Sequence, residues 1–124
     1  RAGTARLGRL DVARRRGSLL RIPAADASFV GALVIASLEH ALWPQRAVVE
    51  LCRVVRPGGR VLIIDKHHDK QARSLCDPWE QWFAPEQLQA WLSAFCDDVR
   101  VHPVPHSEGR PAQDLFLAAE GRRR

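Results

Sequence analysis

Glu39 and His40 stand side by side at the end of a long apolar run, and no other pair in the chain is better suited to handling a proton. An imidazole can take a proton from a hydroxyl nucleophile while a carboxylate beside it orients the ring. The bland alternative is that the two residues end a strand and fix the loop after it. A second polar group, Asp65-Lys66-His67-His68-Asp69, follows another apolar run. Asp65 is placed either to position a substrate or to cap a turn. His67, His68 and Asp69 are ligand types, but adjacent loop histidines seldom converge on one ion and read as solvated. Trp79, Trp82 and Phe83 are suited either to lining a pocket or to packing a long loop onto its neighbours. Cys52, Cys76 and Cys96 are odd in number and lack a CxxC spacing. They fit neither a disulfide framework nor a zinc site, and read as buried thiols of a reducing compartment.

The elements that must position these groups follow from patterning. Val30 to Leu38 is almost continuously apolar, with Leu33, Val34 and Ile35 at its centre, which predicts a strand buried on both faces. Pro44 suits the first position of a helix, and Ala47, Val48, Leu51, Val54 and Val55 then share one helical face. Pro57-Gly58-Gly59 stops that helix, with Gly supplying a left-handed cap. Val61 to Ile64 is a second apolar strand, so that strand, helix and strand form one βαβ unit with parallel neighbours. A second helix begins at Pro85-Glu86 and carries Leu88, Trp91, Leu92 and Phe95 on one face. Val99 and Val101 alternate with Arg100 and His102 as in a half-buried strand, which Pro103 and Pro105 confine to an edge. Residues 106–113 read as a turn and 114–119 as a last strand. Residues 10–16 read as a short strand, and 1–9 and 120–124 as tails of a single domain over 1–124.

The chain has 124 residues, 46% apolar and 27% charged, which bounds it to one ordinary globular domain. No apolar run is long enough to span a membrane, and no secretory leader opens the sequence. Together with the unpaired cysteines this points to the cytoplasm. The chain starts at Arg1 and contains no Met, which suggests a processed chain or a fragment. Its net charge of +5 is uneven: residues 1–25 carry +6, Arg122 to Arg124 carry +3, and the body between carries −4. A basic face with interleaved aromatics is therefore missing, which argues against nucleic-acid binding.

The ordered set Ile22-Pro23, Asp26-Ala27-Ser28-Phe29, Leu38-Glu39-His40, Glu50-Leu51, Arg53-Val54 and Arg56-Pro57-Gly58-Gly59-Arg60 resembles the class I S-adenosylmethionine-dependent methyltransferases. The nearest type is that of the small-molecule ubiquinone and menaquinone methylases. The resemblance implies an α/β fold: a partial Rossmann-like sheet with equivalents of the family's strands 3-4-5-7-6 and a C-terminal antiparallel hairpin. It implies S-adenosylmethionine as cofactor, with the adenine over Ser18 and Leu19 and the methionine part near Ser37 and Leu38. It places Glu39 and His40 where a small-molecule acceptor meets the methyl donor, the methyl passing to an O, N or C atom.

Departures from the family pattern accompany the match. No counterpart of the glycine-rich E/D-x-G-x-G-x-G loop precedes Leu10, nor of the acidic residue after the second strand. Ser18 and Val30 stand where relatives carry Asp. Ala36 stands at the first position of the E-x-x-E-H set with which some relatives hold a metal, so no metal site is expected. In the family order 3-2-1-4-5-7-6, loss of strands 1 and 2 leaves the strand around Leu33 at an edge, unless residues 10–16 swing in beside it. That predicts a rearranged half-domain, a homo-oligomer, or assembly with a missing N-terminal segment. Without that segment the isolated chain is not expected to be active. The competing reading is a non-catalytic remnant or interaction module, acting as an oligomer or a partner subunit.

Overall fold

A computed structural model describes residues 3–7, 10–67, 80–104 and 116–124, with side chains from residue 12 onward. His68, Asp69, Cys76, Trp79 and the expected turn at 106–113 lie outside the described residues. Two strands, β1 (Gly3–Leu7) and β2 (Leu10–Arg14), pair as an antiparallel hairpin of their own. The N-terminal stretch is thus a paired strand rather than a tail, and residues 10–14 do not swing in beside the main sheet. The main sheet comprises β3 (Phe29–Ile35), β4 (Val55–Lys66), β5 (Cys96–Val104) and β6 (Phe116–Arg123), in the order β3-β4-β6-β5. β3 and β4 are parallel, and β6 is antiparallel to both of its neighbours. Two helices, α1 (Pro44–Val54) and α2 (Pro85–Ser93), connect the strands. Both begin with proline, whose missing N–H costs nothing where the first-turn donors have no intrahelical partner.

The helices cover one face of the sheet. Val34, Ile63 and Ala119 form a cross-strand row on that face and join Val48, Leu51, Leu88 and Leu92 in one core. On the other face the row Leu33, Leu62, Glu120, Arg100 lies beside the row Ile35, Ile64, Ala118, His102. Among the described residues no helix covers this face at its β3 end, where Leu33 is 59% and Ile35 54% exposed. The expected burial of β3 on both faces is therefore corrected: β3 is an edge strand with one covered face.

Two further expectations change. The helix does end before Pro57-Gly58-Gly59, but Val55 is already extended and enters β4 at once. Phe29 pairs with Val55 and Gly31 with Arg60, so Arg56 to Gly59 bulge opposite Val30 alone. Gly58 takes φ +84 in this bulge, and a Cβ on Gly59 would lie 2.5 Å from the Val30 carbonyl oxygen and from Val55 Cγ1. The glycines thus serve a strand bulge, not a helix cap. At the other end, β6 runs to Arg123, so residues 120–123 are strand and not tail. Arg124 donates to the carbonyls of Ser93 (3.2 Å), Ala94 (2.7 Å) and Cys96 (3.0 Å), and Arg123 Nε to that of Cys52 (2.8 Å). The basic end satisfies carbonyls left over where α2 and α1 finish.

Candidate functional site

The parallel strands β3 and β4 end side by side, and the polar groups just past them meet. Ala36 adopts φ 49 and donates to the Ile64 carbonyl at 2.8 Å, which turns the chain out of β3 into a short 3₁₀ turn, Leu38–His40. Asp65 is fully buried beneath that turn. Its Oδ2 accepts from the Glu39 amide at 3.2 Å and its Oδ1 from the Lys66 amide at 2.8 Å. Burial pushes the Asp65 carboxyl up to about 6, and the neighbouring Glu39 carboxylate adds to the rise while the two amide bonds oppose it.

Glu39, also buried, joins His40 and Lys66. Its Oε1 lies 3.2 Å from His40 Nε2 and its Oε2 3.1 Å from Lys66 Nζ. Lys66 Nζ also lies 3.6 Å from Glu80 Oε2 and 5.3 Å from the centre of the Trp82 ring. Burial works against the Lys66 ammonium, but Glu39 and Glu80 outweigh it and hold it above the ordinary lysine range. Glu80 is held below the usual carboxylate range by the Trp82 indole N–H, at 2.8 Å, with Lys66 contributing. Residues 80–83 are strapped to the strand ends by Gln81 N donating to Glu39 O and Phe83 N to Lys66 O, both 2.9 Å. Trp82 and Phe83 are buried in this strap, which is the packing role of the two weighed for them.

His40 is 49% exposed, so the cluster opens to solvent through the imidazole. One ligand atom each from Glu39, His40 and Glu80 lie within 4.8 Å of one another. Glu80 thereby supplies the second carboxylate that Ala36 lacks, but the Lys66 ammonium sits against both carboxylates. Neither Glu80 nor Lys66 was singled out from the sequence. The only signal was their position beside residues that were: Lys66 after Asp65, and Glu80 between Trp79 and Trp82.

Ser18 and Leu19 lie apart from this cluster, on a cavity of about 610 Å³ whose walls include Ile22, Pro23 and Phe29. Ser18 closes a tight turn: its Oγ accepts from Leu20 N and its carbonyl from Arg21 N, both at 3.1 Å. Arg53 braces the cavity from behind. It donates to Glu50, to Asp26 and to the carbonyls of Ile22 and Ala24 at 2.8–3.0 Å, and Glu50 accepts from Ile22 N at 2.8 Å. The Arg53 guanidinium in turn holds the Glu50 carboxyl below its usual range. Ser37 and Leu38 are at the end of β3, where the Ser37 hydroxyl donates to the Ile35 carbonyl at 3.0 Å and the Leu38 side chain is fully buried in the core. Leu38 is buried backbone and all, its carbonyl accepting from Ala41 N at 3.0 Å, so that of the two only Ser37 is exposed. Cys52 and Cys96 are buried free thiols, and burial pushes Cys52 up to about 12.

Residues 2–63 match the family model of the methyltransferase domain. The chain belongs to this family. Its mixed sheet is that of the class I S-adenosylmethionine-dependent methyltransferases, with β3-β4-β6-β5 in the places of strands 4-5-7-6. This methyltransferase domain is 34% identical over 105 residues to a demethylmenaquinone methyltransferase of Paenarthrobacter aurescens, covering 78% of the present chain and 39% of that protein. It superposes with a TM-score of 0.69 on an S-adenosylmethionine-dependent methyltransferase of Thermotoga maritima described as a possible histamine N-methyltransferase. That match has 21% identity and covers 87% of the present chain and 62% of the other. The N-methyltransferase NodS of Bradyrhizobium japonicum, solved with S-adenosylhomocysteine, superposes at 0.64 with 16% identity, covering 86% of the present chain and 52% of that one. The methyltransferase domain thus spans about two-fifths of that demethylmenaquinone methyltransferase and 62% and 52% of these two structures.

Proposed function

We propose that the chain contributes the acceptor side of an S-adenosylmethionine-dependent methyltransferase acting on a small molecule, with His40 as proton acceptor and Glu39 as its orienting partner. The observation that carries this reading is the His40 Nε2 to Glu39 Oε1 contact of 3.2 Å, beside buried Asp65 and half-buried Lys66, which fix Glu39 in place. With Nε2 directed at Glu39, Nδ1 is the ring atom left to receive a proton from an acceptor hydroxyl or amine.

The cofactor's adenine end is supported by the cavity beside Ser18 and Leu19, whose apolar walls suit a flat heterocycle. When bound, S-adenosylmethionine supplies a methyl group on a sulfonium, open to direct displacement by a lone pair. Ser37, exposed at the end of β3, would meet the methionine part. The chain's own tasks are then alignment and removal of one proton, which is why the buried Asp65–Lys66 foundation matters more than a strong base. No helix among the described residues is long and apolar enough to cross a membrane, and the buried thiols suit a reducing compartment such as the cytoplasm.

Calorimetric titration of the purified chain with S-adenosylhomocysteine tests the reading. Micromolar binding supports it, and in an assembly that supplies the missing segment His40→Asn should lose methyl transfer but not that binding. A folded chain that binds none at millimolar ligand supports the second reading instead, a non-catalytic interaction module. One observation favours that second reading: the β3 edge, unpaired among the described residues, and its exposed apolar side chains.

A further inference from the structure

A groove of about 670 Å³ is lined by Leu42 and Trp43, just after the His40 turn, and by residues of α1 and α2. Its volume falls in the range of small-molecule sites. Leu42, 69% exposed, and Trp43, 56% exposed, stand on one rim, with Val49 and Trp91 on the walls. Among the described residues Arg46 is its single charged lining residue, and Gln81 and Gln87 supply amides.

The walls are set before any ligand arrives. Trp91 packs edge-on against the buried Phe83, with ring centres 5.9 Å apart at 72°. Gln81 is held by its own amide to the Glu39 carbonyl at 2.9 Å and by Nε2 to the Ala41 carbonyl at 3.3 Å. The residue that lines the groove therefore also ties down the loop carrying Glu39 and His40. Leu42 follows His40 by two residues, so their Cα atoms are separated by at most about 7 Å.

We propose that this groove binds the acceptor, and that the acceptor is a flat apolar molecule, neutral or anionic, stacked against Trp43 and Trp91. The proposal rests on the methyltransferase reading above. Indole faces favour flat apolar partners, and a lining that among the described residues has one arginine and no carboxylate favours an anion over a cation.

The test uses the full chain with ¹⁵N-labelled indoles, titrated with 2-naphthoate, 2-naphthol and 2-naphthylmethylammonium. Naphthoate and naphthol are expected to shift the Trp43 and Trp91 signals, assigned with Trp43→Phe and Trp91→Phe, and to leave Trp82 in place. Val49→Glu and Leu42→Glu, both at exposed positions, should weaken naphthoate binding at least tenfold and leave S-adenosylhomocysteine binding unchanged. Shifts centred on Trp82, equal affinity in Val49→Glu, or tighter binding of the ammonium would each overturn the assignment. So would Trp43 and Trp91 signals that move with protein concentration alone, because a second copy would then fill the groove. If S-adenosylhomocysteine binds and naphthoate does not, the groove assignment alone falls. If naphthoate binds and S-adenosylhomocysteine does not at any concentration, the acceptor role falls together with the methyltransferase reading.

Discussion

Replacing Asp65 by Asn should remove a pH dependence of stability whose sign and size follow from the site. Asp65 is fully buried and its carboxyl is pushed from 3.8 up to about 6, so the folded chain holds that proton more tightly than the unfolded chain. Below about pH 4 the group is protonated in both states and its contribution is fully present. As the pH rises through 6 the folded state must carry a buried carboxylate, and the contribution is lost. A shift of about two units corresponds to about 3 kcal/mol. Glu50 and Glu80 titrate in the opposite sense, since both are held below their ordinary values. The total profile therefore mixes signs, and the wild-type minus Asp65→Asn difference reports Asp65 together with its coupled neighbour Glu39. Asparagine keeps one oxygen for the Glu39 or Lys66 amide and faces the other with its own N–H, so the variant is less stable at pH 4. Urea unfolding followed by circular dichroism from pH 4 to 8 measures the difference. The wild-type advantage should shrink by about 3 kcal/mol between pH 4 and 7, most of it before pH 6.5. A difference that is flat, or that grows with pH, would refute the burial argument.

Three further outcomes are expected. Lys66→Met takes the counter-charge from buried Glu39 and should lower unfolding stability at pH 7 by about 3 kcal/mol, read from the urea midpoint. Gly59→Ala drives a methyl into the Val30 carbonyl and Val55, and should cost about 2 kcal/mol by the same assay, with the β3–β4 amides exchanging fastest relative to wild type. Leu33→Glu with Ile35→Lys should leave the circular dichroism spectrum unchanged and abolish any self-association seen by sedimentation, because both side chains lie on the uncovered face.

Much of the architecture could be read from local pattern, because local pattern causes it. Pro44 and Pro85 start helices whose apolar spacing matches the buried set, and the two strands flanking α1 are parallel neighbours as a βαβ unit requires. What local pattern does not carry is the identity of distant partners. The run Val30 to Ile35 reports hydrophobicity, which an interior strand and an edge strand share. Only the failure of β2 to pair with it decides between them. Arg122 to Arg124 look like solvated charge because nothing nearby in sequence answers them, while the carbonyls that receive Arg123 and Arg124 belong to the ends of α1 and α2.

The site divides along the same line. Glu39 and His40 were visible as an adjacent pair, and adjacency is enough to place a carboxylate beside an imidazole. Their foundation was not visible. Asp65 reaches Glu39 only because β3 and β4 end in register, and Glu80 joins through a return of the chain that no periodicity announces. Glu50 and Arg53 show the converse. Their recurrence in the family motif invites a catalytic role, yet both spend their hydrogen bonds on the loop of residues 22–26 that walls the Ser18 cavity. A charged pair on a helix thus braces the loop beside the Ser18 cavity. At the strand ends, two buried carboxylates and one lysine keep a single imidazole aimed at solvent.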